Sequence, residues 1–71
     1  MAQVLVRHAE DDFRALQTAQ GMEQAGATVF SIVNLGSNRQ FNLAIFARFD
    51  APVTVNAVDE AIRQIMFPDE A

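Results

Sequence analysis

Three observations in the sequence predict an α+β domain with the order strand, helix, strand, strand, helix. Two runs, residues 28–35 and 41–49, are rich in β-branched and aromatic residues and are separated by the turn-forming Gly36-Ser37-Asn38-Arg39-Gln40, which is the pattern of a hairpin. In two other stretches, residues 13–25 and 58–66, apolar residues recur at helical spacing. The chain has 71 residues, enough for a single domain.

Taken in order, residues 2–8 alternate, with Val4 and Val6 pointing one way and Leu5 and Arg7 the other, as a strand requires. Glu10-Asp11-Asp12 suits a helix start, where carboxylates accept orphan backbone N–H groups and meet the positive end of the helix dipole. Phe13, Leu16, Ala19, Met22 and Ala25 then form the expected buried stripe. Gly21 inside that helix either weakens it or admits a close neighbour, and Gly26 is the expected stop. After the hairpin over residues 27–49, Asp50-Ala51-Pro52 interrupts the ladder. Thr54 or Asn56 can cap a second helix, in which Val58, Ala61, Ile62, Ile65 and Met66 fall at i, i+3, i+4, i+7 and i+8. Phe67-Pro68 ends it, and residues 68–71 read as a frayed tail.

Right-handed crossover places both helices on one face of a three-stranded antiparallel sheet, with the first strand beside the third. This is a ferredoxin-like plait lacking its last strand.

Size and charge narrow the function. A chain this short buries only about 60% of the surface its unfolded form exposes, so disulfides, a metal or oligomerisation usually support it. The sequence has no cysteine and one histidine, which removes disulfides and the common zinc patterns and leaves oligomerisation. A net charge of −4, with five scattered arginines and no lysine, argues against a nucleic-acid partner. The N-terminal apolar run is too short for a signal peptide, and none approaches the roughly 20 residues that span a bilayer, so a soluble cytoplasmic protein without membrane partners is expected.

Both faces of the hairpin are apolar. Phe30 and Ile32 oppose Val29, Val33 and Leu35 in the first run; Leu43, Ile45 and Phe49 oppose Ala44 and Phe46 in the second. One face should meet the helices, and the other, assigned to Val29, Val33, Leu35, Ala44 and Phe46, should meet a second copy. The expected assembly is a homodimer or a higher even oligomer, by face stacking, edge pairing or both.

Val6-Arg7-His8, Asp12-Phe13 opening the helix and Gly26-Ala27-Thr28 leading into the hairpin resemble the dimeric α+β barrel superfamily of small ferredoxin-like proteins. That superfamily includes the antibiotic-biosynthesis-monooxygenase-like proteins and many of unknown function. The resemblance covers the first two-thirds of the chain and implies dimerisation. Members that are enzymes act on bound aromatic or haem-like substrates, but no catalytic set transfers here beyond His8. Such proteins usually return with a further strand that this sequence lacks, which puts a closed barrel and its cavity in doubt.

Few side chains suggest chemistry. His8 reads as a general base or ligand contact, or as a strand end linked locally to Glu10, Asp11 or Asp12. That acidic trio is better explained by the helix dipole than by a metal, and no cofactor is expected. Arg48, among apolar neighbours, either holds an anionic ligand or pairs with Asp50 or another carboxylate across the dimer. Asn34 and Asn42 are ligand donors or hairpin-end residues. The segment from Gly36 to Arg39 has one glycine and no following helix, so it is no phosphate loop. With no catalytic triad, carboxylate pair or nucleotide fingerprint, a non-enzymatic dimerising module that binds a protein or small ligand is preferred. The alternative is a small cofactor-independent enzyme or ligand carrier with an apolar pocket between subunits, lined by His8, Arg48 and an asparagine.

Overall fold

A computed structural model describes residues 2–36 and 43–70. The elements are β1 (Gln3–Ala9), α1 (Asp12–Gln24), β2 (Thr28–Asn34), β3 (Leu43–Phe49) and α2 (Val55–Met66), followed by a 3-10 turn over Pro68–Glu70 where a frayed tail was expected. The sheet order is β1-β3-β2 with both pairings antiparallel, and both helices lie on one face. The plait lacking its last strand is therefore the observed fold. Residues 37–42, which hold the hairpin tip and Asn42, lie outside the described residues.

The central strand sets the two faces. Leu43, Ile45, Ala47 and Phe49 are buried under the helices with Ala9, Met22, Val58 and Ile62. Cross-strand partners share a face. Leu5 opposite Ala47, Arg7 opposite Ile45 and Ala9 opposite Leu43 therefore point to the helices, while Val4 opposite Arg48, Val6 opposite Phe46 and His8 opposite Ala44 point away.

Both helices start on residues that satisfy their free N–H groups. Asp11 caps α1, its Oδ1 accepting from the Arg14 N–H at 2.8 Å, and Thr54 rather than Asn56 caps α2, its Oγ1 accepting from the Ala57 N–H at 3.1 Å. The expected stripe of α2 holds, with Val58 and Ile62 buried and Ala61, Ile65 and Met66 half-buried.

That of α1 holds only in part: Ala19 and Met22 are buried and Ala25 packs against the core, but its first two members are turned out. The buried positions are Ala15, Thr18, Ala19, Gly21 and Met22, while Phe13 and Leu16 are 65% and 56% exposed. The reason is the distance between the helices. Gly21 faces the Ile62 backbone so closely that a methyl group there would lie 2.8 Å from the Ile62 nitrogen and press on its Cα. Small residues permit that approach, and bulky ones are turned out of the seam. Gly21 thus marks a close crossing, and the helix continues past it to Gln24.

The second correction concerns β2. A bulge between Val29 and Ser31 shifts the register, so that Val29 opposes Ala47 while Ser31 opposes Phe46. Val29 therefore turns to the helices and packs against the core, and Phe30 joins the opposite face, its ring 6.2 Å from that of Phe46. Ile32, opposite Ile45, also lies on the helix side, and Val33, opposite Ala44, lies on the other. Leu35 follows the end of β2 and is exposed.

Candidate functional site

Two features are candidates, one on the open face of the sheet and one at the end of β1, and His8 borders both. The first is the helix-free face, built from Val4 and Val6 on β1, Phe46 on β3, and Phe30 and Val33 on β2. Val4 is 53% exposed, Phe30 58% and Val33 41%, and Phe46 and Val6 are half-buried. Ala44, between His8 and Val33 across the ladder, is already buried. Of the expected interface residues, Val33, Ala44 and Phe46 lie on this face; Val29 does not, and the bulge supplies Phe30 in its place. Arg48 sits on the same face, and its Nε lies 3.2 Å from Asp50 of its own chain, with both side chains largely exposed. It is thus occupied by a neighbour two residues on, within one copy.

The second is a cavity of about 270 Å³ at the C-terminal end of β1. His8 and Glu10 from the strand end, Arg14 and Thr18 from α1, and Met66 and Phe67 from the end of α2 line it. Antiparallel helix packing brings these together, because α1 begins at the end of the molecule where α2 finishes. The Arg14 guanidinium lies 5.9 Å from the centre of the Phe67 ring, and its Nη1 donates to Gln17 Oε1 at 2.9 Å. Thr18 is buried and its hydroxyl donates to the Arg14 carbonyl at 2.8 Å, so its hydrogen-bonding satisfies a buried polar group within the helix.

The structure thus joins His8 to Arg14, and His8 is exposed at the rim. It does not bring His8 together with Arg48 and Asn34 in this cavity. Asn34 Oδ1 instead accepts from the Gly36 N–H at 2.9 Å, and Gly36 has a φ of 122°, which glycine tolerates without strain. Asn34 is a turn residue at the hairpin end. Arg14, Met66 and Phe67 were not singled out as site residues from the sequence, and nothing local to any of them marks it. Among the described residues, no three His, Cys, Asp or Glu side chains are grouped to hold a metal ion, and no helix is long and apolar enough to cross a membrane.

Compared with family models, with curated proteins and with solved structures, the chain finds no match.

Proposed function

We propose that this chain is a self-associating module whose helix-free sheet face stacks on the same face of a second copy. The observation that carries this reading is the exposed Val4, Phe30 and Val33, with half-buried Phe46 among them, on the open side of a two-layer domain. The Cα extents are 35 × 32 × 15 Å, so the molecule is a thin slab with one broad apolar side uncovered. Its accessible surface is 4779 Å², against about 4,400 Å² for a folded monomer of this mass. Seven-residue strands and a three-strand width give the face a flat footprint of roughly 23 × 14 Å. Two such flat footprints together make roughly 640 Å², and the side chains that stand out from the strands add to this, towards the roughly 1,000 Å² that a specific interface buries.

A second copy suits this surface better than a charged partner does. With His8 neutral, Arg48 is the one formal charge that the three strands place on the face, and Asp50 offsets it. Two copies can therefore stack without like-charge repulsion, and burying the apolar face would add the second core that a domain of this size lacks. The resemblance to dimeric α+β barrel proteins points the same way.

Sedimentation velocity at micromolar concentration tests the reading. The wild-type chain should run as a dimer. Phe46→Asp should run as a monomer or unfold, because a carboxylate buried in the interface without a partner is costly. Phe30→Ser, at an edge position, is the milder variant and should weaken association while leaving the far-UV circular dichroism intact. A wild-type monomer that stays folded would overturn the proposal.

A further inference from the structure

The cavity between the end of β1 and the two helices points to a ligand, and we propose that it binds a small monocarboxylate with an aromatic or aliphatic body. Arg7 is paired with Asp59 at 2.9 Å, Arg48 with Asp50 at 3.2 Å and Arg63 with Glu60 at 2.6 Å. Among the described residues, Arg14 is the arginine with no carboxylate within ion-pairing distance. It is half-buried, it lines the cavity, and its side chain is held by Gln17 on one side and the Phe67 ring on the other. A guanidinium fixed in this way keeps N–H donors for a carboxylate, which it can take in a bidentate fork.

The rest of the lining is mainly apolar. Met66 and Phe67 offer a thioether and a ring face against which an alkyl or aromatic body can lie. Thr18 cannot donate to the ligand while its one hydroxyl hydrogen serves the Arg14 carbonyl, so the carboxylate depends on Arg14. At roughly 30 Å³ for each water-sized unit, the volume of about 270 Å³ holds about nine such units, the scale of a small organic acid. Glu10 also lines the cavity, but it is exposed, so solvent screens its repulsion. Its sign makes it useful in a test, because removing it should favour an anion and disfavour a cation.

All of these side chains belong to one copy, so the inference stands apart from self-association and either can fail without the other. The test is a titration of the ¹⁵N-labelled full chain with 3-phenylpropanoate, followed by amide shifts, with the matched amine 3-phenylpropylamine as control. Saturable shifts are expected at residues 8–10, 14–18 and 66–67, with a dissociation constant in the millimolar range for a ligand this small. Arg14→Gln should weaken binding about tenfold or more with an unchanged spectrum elsewhere, and Glu10→Gln should tighten it two- to threefold at low salt. The proposal is overturned if no saturable shift occurs at ten millimolar, if Arg14→Gln binds as well as wild type, or if the amine binds as well as the acid.

Discussion

Gly21→Ala offers the sharpest test of how the two helices are assembled. In an exposed helix this change stabilises by about 1 kcal/mol, because alanine has the higher helix propensity. Here the added methyl would meet the Ile62 Cα and nitrogen, which belong to the backbone of α2 and cannot rotate away. Forcing the helices apart is an overpacking change that costs about 1–3 kcal/mol, more when backbone must move. The net expectation is a loss of about 1–2 kcal/mol, or roughly 5–15 °C in Tm for a domain of this size. Urea unfolding at a fixed protein concentration should show a midpoint about 1–2 M lower with the slope unchanged. Adding Ile62→Ala should not restore stability, because it removes the side-chain contact and leaves the backbone one. A midpoint equal to or above that of wild type would refute the close crossing, and full rescue by Ile62→Ala would relocate it to the side chain.

Other substitutions separate the buried from the exposed positions. Leu16→Ala should cost less than about 0.5 kcal/mol at this largely exposed site, whereas Met22→Ala, fully buried, should cost about 2–5 kcal/mol; chemical denaturation of the pair checks which face of α1 is inside. Asp11→Ala removes the cap of α1 and should cost about 1 kcal/mol, with Asp11→Asn losing less, as measured by thermal unfolding. Asp59→Ala leaves Arg7 on the helix side of the sheet without its carboxylate and should cost no more than about 1 kcal/mol, because Asp59 is over half exposed; the cost should shrink in high salt.

Much of this fold was legible because its signals are local. Thr54 and Asp11 sit where a cap is needed, the α2 stripe has unbroken helical spacing, and the apolar strands are bounded by glycine, asparagine and proline. What escaped reading depends on contacts between distant segments. On α1 the stripe was misread at Phe13 and Leu16, because hydrophobicity favours them, whereas the approach of α2 is set by Gly21. The bulge after Val29 reverses the faces of the residues beyond it, and strict alternation cannot show one extra residue. Phe30 therefore took the place on the open face that had been given to Val29. The cavity was the least visible feature. Its arginine and its aromatic wall, Arg14 and Phe67, are far apart in the chain, and only the packing of α1 against α2 brings them together.

The stacking of two sheet faces is tested most directly by isotope-filtered NOE spectroscopy on a dimer prepared from equal amounts of labelled and unlabelled chain. Intermolecular cross-peaks are expected from the ring protons of Phe30 and Phe46 to the methyl groups of Val6 and Val33. A sample that shows these contacts only within one chain, at a mass near 7.8 kDa, would contradict the paired assembly.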